Sequence, residues 1–327
     1  MDGYNGGVND SAADAGDWRD LVFMCADTGA VVAVSYPAEK RAALVRAVVF
    51  LASGDTLWFD GAHDGGTRAT LTAPDGGFAG RHALRLSAQA RLLTGPGYLA
   101  SGEIAAGPRV PVGLELDLEP ASRQLALGSA TPPPGQVALV KCAGSLAVGS
   151  VVRRVVGAAW ASAGPDGGPG GRADSRARAV FQDGSALYVA TGAGQVADAG
   201  PVAALVHNSG IRAAGVRDFR VRGGERGQPG RGLSWAGDGR SPAGARAEIR
   251  DLRQQLIVTR PDPAGSGWLS WGCAPFVFVR SGVTGLGLVE RRTRLATAVT
   301  AAEPAAELPD PFLPIPPRYC IPTGWLS

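Results

Sequence analysis

PVGLELDLEP, residues 111–120, alternates without a break: Val112, Leu114, Leu116 and Leu118 take one side of an extended chain, and Gly113, Glu115, Asp117 and Glu119 take the other. A period of two is what a strand with one buried and one wet face requires. The three carboxylates are then the solvent face of a strand, not paired catalytic acids. Working outward from this segment, the same pattern predicts strands near 20–25, 30–36, 45–52, 56–60, 67–73, 83–87, 90–94, 98–104 and 123–127. A second set is expected near 137–143, 145–149, 151–160, 177–182, 186–190, 201–207, 216–222, 247–259, 268–279 and 285–296. Only PAEKRAALVRAV (37–48) and AEIRDLRQQL (247–256) suggest helix, and the second reads equally well as a strand.

Between the two sets stands GSATPPPGQ (128–136), whose three consecutive prolines can neither continue a ladder nor enter a helix. The expected organisation is a flexible N-terminus (1–17), a first barrel (18–131), a second barrel (136–300) and a proline-rich C-terminal wrap (301–327). Each strand set is about the size of a closed eight-to-ten-stranded barrel, and closure removes the exposed edges of a meander. The fold class expected is therefore all-β, with two tandem antiparallel barrels.

Composition agrees. The 327 residues include 48 Gly and 24 Pro, spread as punctuation between short Val, Leu and Ala runs. A formal charge of +3 gives no reason to invoke nucleic acid or an anionic membrane. The one arginine-rich run, RDFRVRGGERGQPGR (217–231), is broken by Asp218 and Glu225 and has no aromatic residue beyond Phe219 on which bases could stack. The N-terminus lacks a basic and an apolar region, so no secretory signal is read, and no apolar run approaches the ~18 residues of a spanning helix. A cytoplasmic protein is the expectation; the oligomeric state is not written in the sequence. Cys25, Cys142, Cys273 and Cys320 form no C-x-x-C pair and read as buried small hydrophobes.

The glycine-rich GAAWASAGPDGGPGGRADSR (157–176) is not a phosphate loop, because no capped helix and no Lys-Ser or Lys-Thr pair follows it. Residues 161–176 are expected to form a surface loop. No G-x-S-x-G, H-E-x-x-H or dinucleotide fingerprint occurs, and His63, His82 and His207 stand apart. No cofactor and no metal site are expected.

The second half resembles the tandem-calycin family of carotenoid 1,2-hydratases and AttH-like proteins. The resemblance runs over about 137–296 and rests on the Gly144–Gly149 hairpin, on Phe181, Asp183 and Gly184, and on Gly285, Gly287 and Glu290. It implies lipocalin-like barrels. Where that family carries Asp-His-Ser-Trp-Gly, this chain has GAAWASAGPDGG, keeping Trp160 but neither the acid nor the histidine. Direct transfer of the hydratase activity is therefore not expected. The expected function is a cofactor-independent cyclase or isomerase that folds a hydrophobic polyene, isoprenoid or polyketide in an apolar cavity, in natural-product biosynthesis. A non-catalytic binder of a lipophilic ligand and a hydratase of an isoprenoid alkene are the alternatives.

Candidate residues follow. Asp60, His63 and Asp64 lie just after a strand carrying Trp58 and Phe59, in LWFDGAHDGG (57–66), and could line a barrel rim. Glu290 falls in phase with Leu286 and Leu288, so a carboxylate points where the face should be apolar, and it must either pair with an arginine or stay protonated. Glu290, Asp60 and His63 are the catalytic candidates. Trp58, Phe59, Asp64, Trp160, His207, and the tryptophans of the two Leu-Ser-Trp triplets, Trp235 and Trp271, are the candidate substrate contacts.

Overall fold

The computed structural model describes residues 18–37, 45–61, 70–72, 80–95, 97–100, 108–126, 136–164, 175–191, 202–207, 210–222, 232–237, 245–261 and 268–295. Twenty strands account for nearly all of them. The first eleven are β1 (Trp18–Cys25), β2 (Ala30–Pro37), β3 (Arg46–Phe50), β4 (Thr56–Asp60), β5 (Thr70–Thr72), β6 (His82–Leu93), β7 (Gly97–Ala100), β8 (Arg109–Pro120), β9 (Leu125–Ala126), β10 (Gln136–Val148) and β11 (Val151–Gly164). The rest are β12 (Ser175–Phe181), β13 (Ala186–Thr191), β14 (Val202–His207), β15 (Gly210–Arg222), β16 (Gly232–Gly237), β17 (Ala245–Ile249), β18 (Leu256–Pro261), β19 (Trp268–Arg280) and β20 (Val283–Leu295). One 3-10 turn, Leu252–Gln254, is the sole helical element among the described residues.

Two sheets result, and each closes. In the first, β1, β2, β3, β4, β6, β8, β10 and β11 pair in sequence order, and β11 returns to β1, giving an eight-stranded antiparallel meander barrel. In the second, β12 to β17, β19 and β20 do the same: β17 joins β19, and β20 returns to β12. This is the lipocalin-like arrangement in which closure leaves few edges to protect.

The expected strand 247–259 is split by the 3-10 turn into β17 and β18, and three larger details differ from the sequence expectation. First, the strands change sheet between Gly164 and Ser175, not at 128–136: β10 lies beside β8 and β11 beside β1, so 136–164 belongs with the first barrel. Prolines interrupt a ladder but do not prevent the strands on either side from pairing with each other. Second, β7 leaves its sequence neighbours and pairs with β18, the one parallel pairing among the described strands. Third, the helix suggested over 37–48 gives way at its end to strand: Val45, just before β3, and Val49 are buried in the first barrel's interior, and Val48 in the layer between the barrels. The termini 1–17 and 301–327, the triproline run and residues 165–174 lie outside the described residues. The ends of the expected 161–176 surface loop are instead strand, 161–164 in β11 and 175–176 in β12: Ala161 is buried in the first barrel's interior, and Ser162 and Arg176 are buried where the two barrels cover each other.

The alternation read in 111–120 is realised: Leu114, Leu116 and Leu118 are buried, and Glu115, Asp117 and Glu119 are exposed. Because every strand alternates, each barrel has an inner face and an outer one. Leu21, Phe23, Val32, Phe59 and Leu114 fill the first barrel, and Phe181, Leu187, Phe276 and Phe278 fill the second. A third cluster belongs to neither interior. Val22, Met24, Val48, Trp58 and Trp160 from the first sheet meet Tyr188, Leu256, Cys273 and Leu288 from the second, so outer faces that would otherwise be wet are pressed together.

At one end of this layer the barrels are held by a latch. Arg250 and Gln254, beside the 3-10 turn, reach the β1–β2 and β3–β4 turns of the other barrel: Arg250 donates to the carbonyls of Gly29 and Leu51, and Gln254 Nε2 to those of Leu51 and Asp55.

Candidate functional site

At the other end of the shared layer the register assembles charge. Ser162, Asp20, Ser35, Arg46 and Asp60 are successive cross-strand partners on β11, β1, β2, β3 and β4, forming one polar row on the first barrel. The next row along is apolar: Trp160, Val22, Ala33, Val48 and Trp58. Opposite stand Arg176 and Arg178 of β12, Glu290 and Arg292 of β20, and Trp271 of β19, with Glu290 paired across to Arg176 and Arg292 to Trp271. Gly287 allows β12 and β20 to approach, since a Cβ there would overlap the carbonyl of Arg178.

These groups bind each other between the barrels. Arg176 Nη1 lies 3.2 Å from Asp20 Oδ2. Arg178 spans two carboxylates, with Nη1 2.5 Å from Glu290 Oε2 and Nη2 3.5 Å from Asp20 Oδ2. Trp271 Nε1 donates to Glu290 Oε1 at 3.2 Å, and the Trp271 ring packs on Trp58 with centroids 5.4 Å apart. Arg178 also lies over the Tyr188 ring, and Tyr188 contacts Trp160, whose Nε1 donates to the Ala179 carbonyl at 3.1 Å. Asp20, Arg176, Arg178 and Glu290 are all buried.

Burial and pairing divide the two carboxylates. Desolvation raises Asp20 above the ordinary aspartate range, outweighing the pull of Arg178 and Arg176, and the Glu290 charge adds to the rise. Burial would raise Glu290 as well, but Arg178, Arg176, Arg292 and the Trp271 hydrogen bond together hold it below the usual glutamate range. Desolvation and the neighbouring Arg176 push Arg292 down to about 9, which leaves it charged at neutral pH. Cys273, the cross-strand partner of Glu290, is pushed well up by burial and then by that carboxylate, so its thiol stays protonated.

The candidates chosen from sequence therefore separate. Glu290, Trp271, Trp58, Trp160 and Asp60 all fall on the shared layer; Asp60 is buried and paired with Arg46 at 3.0 Å. Phe59 does not belong there. It is one residue out of phase with Trp58 and points into the first barrel's interior. His207 is exposed at the far end of β14, since Val202, not His207, is in register with the Arg176 row. His63 and Asp64 lie outside the described residues, as does the side chain of Trp235 on β16.

Sequence reading missed Asp20, Arg176 and Arg178. Asp20 carries the signal that singled out Glu290, a carboxylate in phase with apolar Val22 and Met24. Arg176 falls in the expected 161–176 surface loop, and nothing in the sequence singles out Arg178; both alternate with Ala177 and Ala179 on β12 and are buried because the other barrel covers that face. Among the described residues no three His, Cys, Asp or Glu side chains gather as a metal site, and no helix is long and apolar enough to cross a membrane.

No family model and no curated protein matches the sequence. Solved structures that are similar include an AttH candidate from Nitrosomonas europaea, at 16% identity and TM-score 0.43 over 85% of this chain and 92% of that one. CghA is similar at 12% identity and TM-score 0.44, over 86% and 89% of the two chains. Kievitone hydratase from Nectria haematococca is similar at 8% identity and TM-score 0.41, over 86% and 89%. At these values the likenesses carry no statement about the chemistry of this chain.

Proposed function

We propose that the layer between the barrels is the active site of a cofactor-independent cyclase or isomerase, with Asp20 as its proton donor. One observation carries this reading: two buried carboxylates share the Arg178 guanidinium, yet their pKa values move apart, Asp20 up and Glu290 down. Such a split is how one site obtains an acid beside a fixed charge. A carboxyl whose proton is held more tightly than an ordinary aspartate's, against the apolar row of Val22, Ala33, Val48 and the paired tryptophans, can protonate an alkene or a carbonyl and take a proton back from the adjacent carbon. Arg176 and Arg178 stand where negative charge would develop on an oxygen, and their fixed positions make them effective there. The apolar rows would fold a flexible polyene, isoprenoid or polyketide chain before reaction.

Hydration of an alkene is the less supported reaction. It needs a base for water, and Glu290, the ionised carboxylate, is already engaged by Arg178 and Trp271. A non-catalytic carrier of a lipophilic ligand is the second reading, favoured by the mutual neutralisation of Asp20, Glu290 and the arginines.

Incubation with linear terpenoid alkenes and polyenoyl ketones in D2O tests the proposal. Deuterium entering carbon or a ring forming, and an Asp20→Asn rate lower by ~100-fold or more, is the expected result. Compounds that bind without exchange, equally well to wild type and Asp20→Asn, would make the protein a carrier.

A further inference from the structure

Three polar atoms around the charged cluster of this layer have no hydrogen-bond partner among the described residues: Asp20 Oδ1, Arg178 Nε and Trp58 Nε1. They belong to side chains only 4%, 1% and 1% exposed. Buried polar groups in folded proteins are nearly always satisfied, so three in one layer ask for an explanation. They are also connected. Trp58 packs on Trp271, Trp271 donates to Glu290, Glu290 accepts from Arg178, and Arg178 reaches Asp20, each link a direct contact. Thr56 Oγ1, on the same face of β4 as Trp58 but beside Asp55 at the latch end, is unpartnered too and stands away from this chain of contacts; Tyr36 faces the first barrel's interior, and Ser270 pairs across to Thr293, in phase with interior Ala274 and Val289 of the second.

The chemistry of the three is specific. The indole and guanidinium N–H groups can only donate, so a partner must bring acceptors. The carboxyl oxygen accepts a hydrogen bond, or donates one when it carries the proton. A hydrocarbon offers none of this and would leave both N–H groups stranded in an apolar layer. Given the proposed site, on which this step rests, we infer that its ligand is an apolar molecule bearing an oxygenated head, a ketone, enol or 1,3-dicarbonyl, whose oxygens meet Arg178 Nε, Trp58 Nε1 and Asp20 Oδ1. Simple isoprenoid hydrocarbons are thereby disfavoured as substrates. Oxygenated polyene chains of polyketide type fit.

Two probes of matched shape decide it on the full-length protein: 1,6-diphenylhexatriene, a polyene hydrocarbon, and dicinnamoylmethane, a 1,3-diketone with the same terminal rings. Titrations followed by fluorescence and calorimetry are expected to give at least ~10-fold tighter binding of the diketone, one net hydrogen bond's worth or more. Trp58→Phe leaves an aromatic ring beside Trp271 but removes the N–H; it is expected to shrink the preference for the diketone over the hydrocarbon several-fold. Equal affinities in wild type, unchanged in Trp58→Phe, would overturn the oxygenated-head inference and leave an apolar binding layer standing. Failure of both probes to bind would overturn the inference together with the site on which it rests.

Discussion

Arg178 is the residue on which the charged cluster depends, because it contacts both carboxylates and is almost completely enclosed. Removing the charge of either carboxylate has different consequences. Glu290→Gln strands Arg178 beside a neutral amide, and breaking a buried pair in this way costs about 3–5 kcal/mol; a thermal midpoint within a degree of wild type would show that the pair contributes nothing. Asp20→Asn replaces a group already biased toward its neutral form, so its effect depends on pH. A raised folded-state pKa means that the folded protein holds more protons than the unfolded chain above the ordinary value of 3.8, so this group costs stability as pH rises through and beyond that value. Glu290, with a lowered pKa, contributes in the opposite sense: its stabilisation is present above 4.5 and fades as pH falls through its folded value. Urea midpoints for Asp20→Asn should therefore improve relative to wild type as pH rises above 3.8. A constant difference would mean that Asp20 titrates normally.

At the scale of strands, most elements were legible because a strand with one apolar face announces itself by period. Segments expected separately at 83–87 and 90–94 proved to be the single strand β6, and those at 137–143 and 145–149 the single strand β10. Strand β16 escaped notice, since GLSWAG is short and bounded by glycines that weaken the pattern. Alternation shows that two faces differ. It does not show what covers the polar one, and for this reason Arg176 and Arg178 went unnoticed while Glu290, an acid among leucines, stood out. The latch was equally invisible, because its carbonyl acceptors lie 199 to 221 residues earlier in the chain. Arg250→Ala removes hydrogen bonds to the Gly29 and Leu51 carbonyls and to Gln254 Oε1, and should cost about 2–3 kcal/mol, bonds from a charged donor being the stronger kind. Chemical denaturation measures this; an unchanged midpoint would remove the latch from the account.

For the whole molecule, the decisive feature is that the barrels share a core. Trp58, Trp160, Tyr188 and Leu288 lie in one cluster drawn from both sheets, and Trp160 of the first donates to Ala179 of the second. Apolar surface of that extent ties their stabilities together, so unfolding followed by tryptophan emission and by far-UV circular dichroism should give one coincident transition. Two resolved transitions would mean that the barrels are independent and the layer between them is weak. At the centre of the proposed mechanism, this layer holds one carboxyl toward its acid form and another toward its base form on a single arginine. Site-resolved carbon NMR titration of the Asp20 and Glu290 carboxyls tests it most directly: the expected result is an Asp20 midpoint above 3.8 with a Glu290 midpoint below 4.5 in the same sample. Both carboxyls titrating at their ordinary values, or both shifted downward, would contradict it.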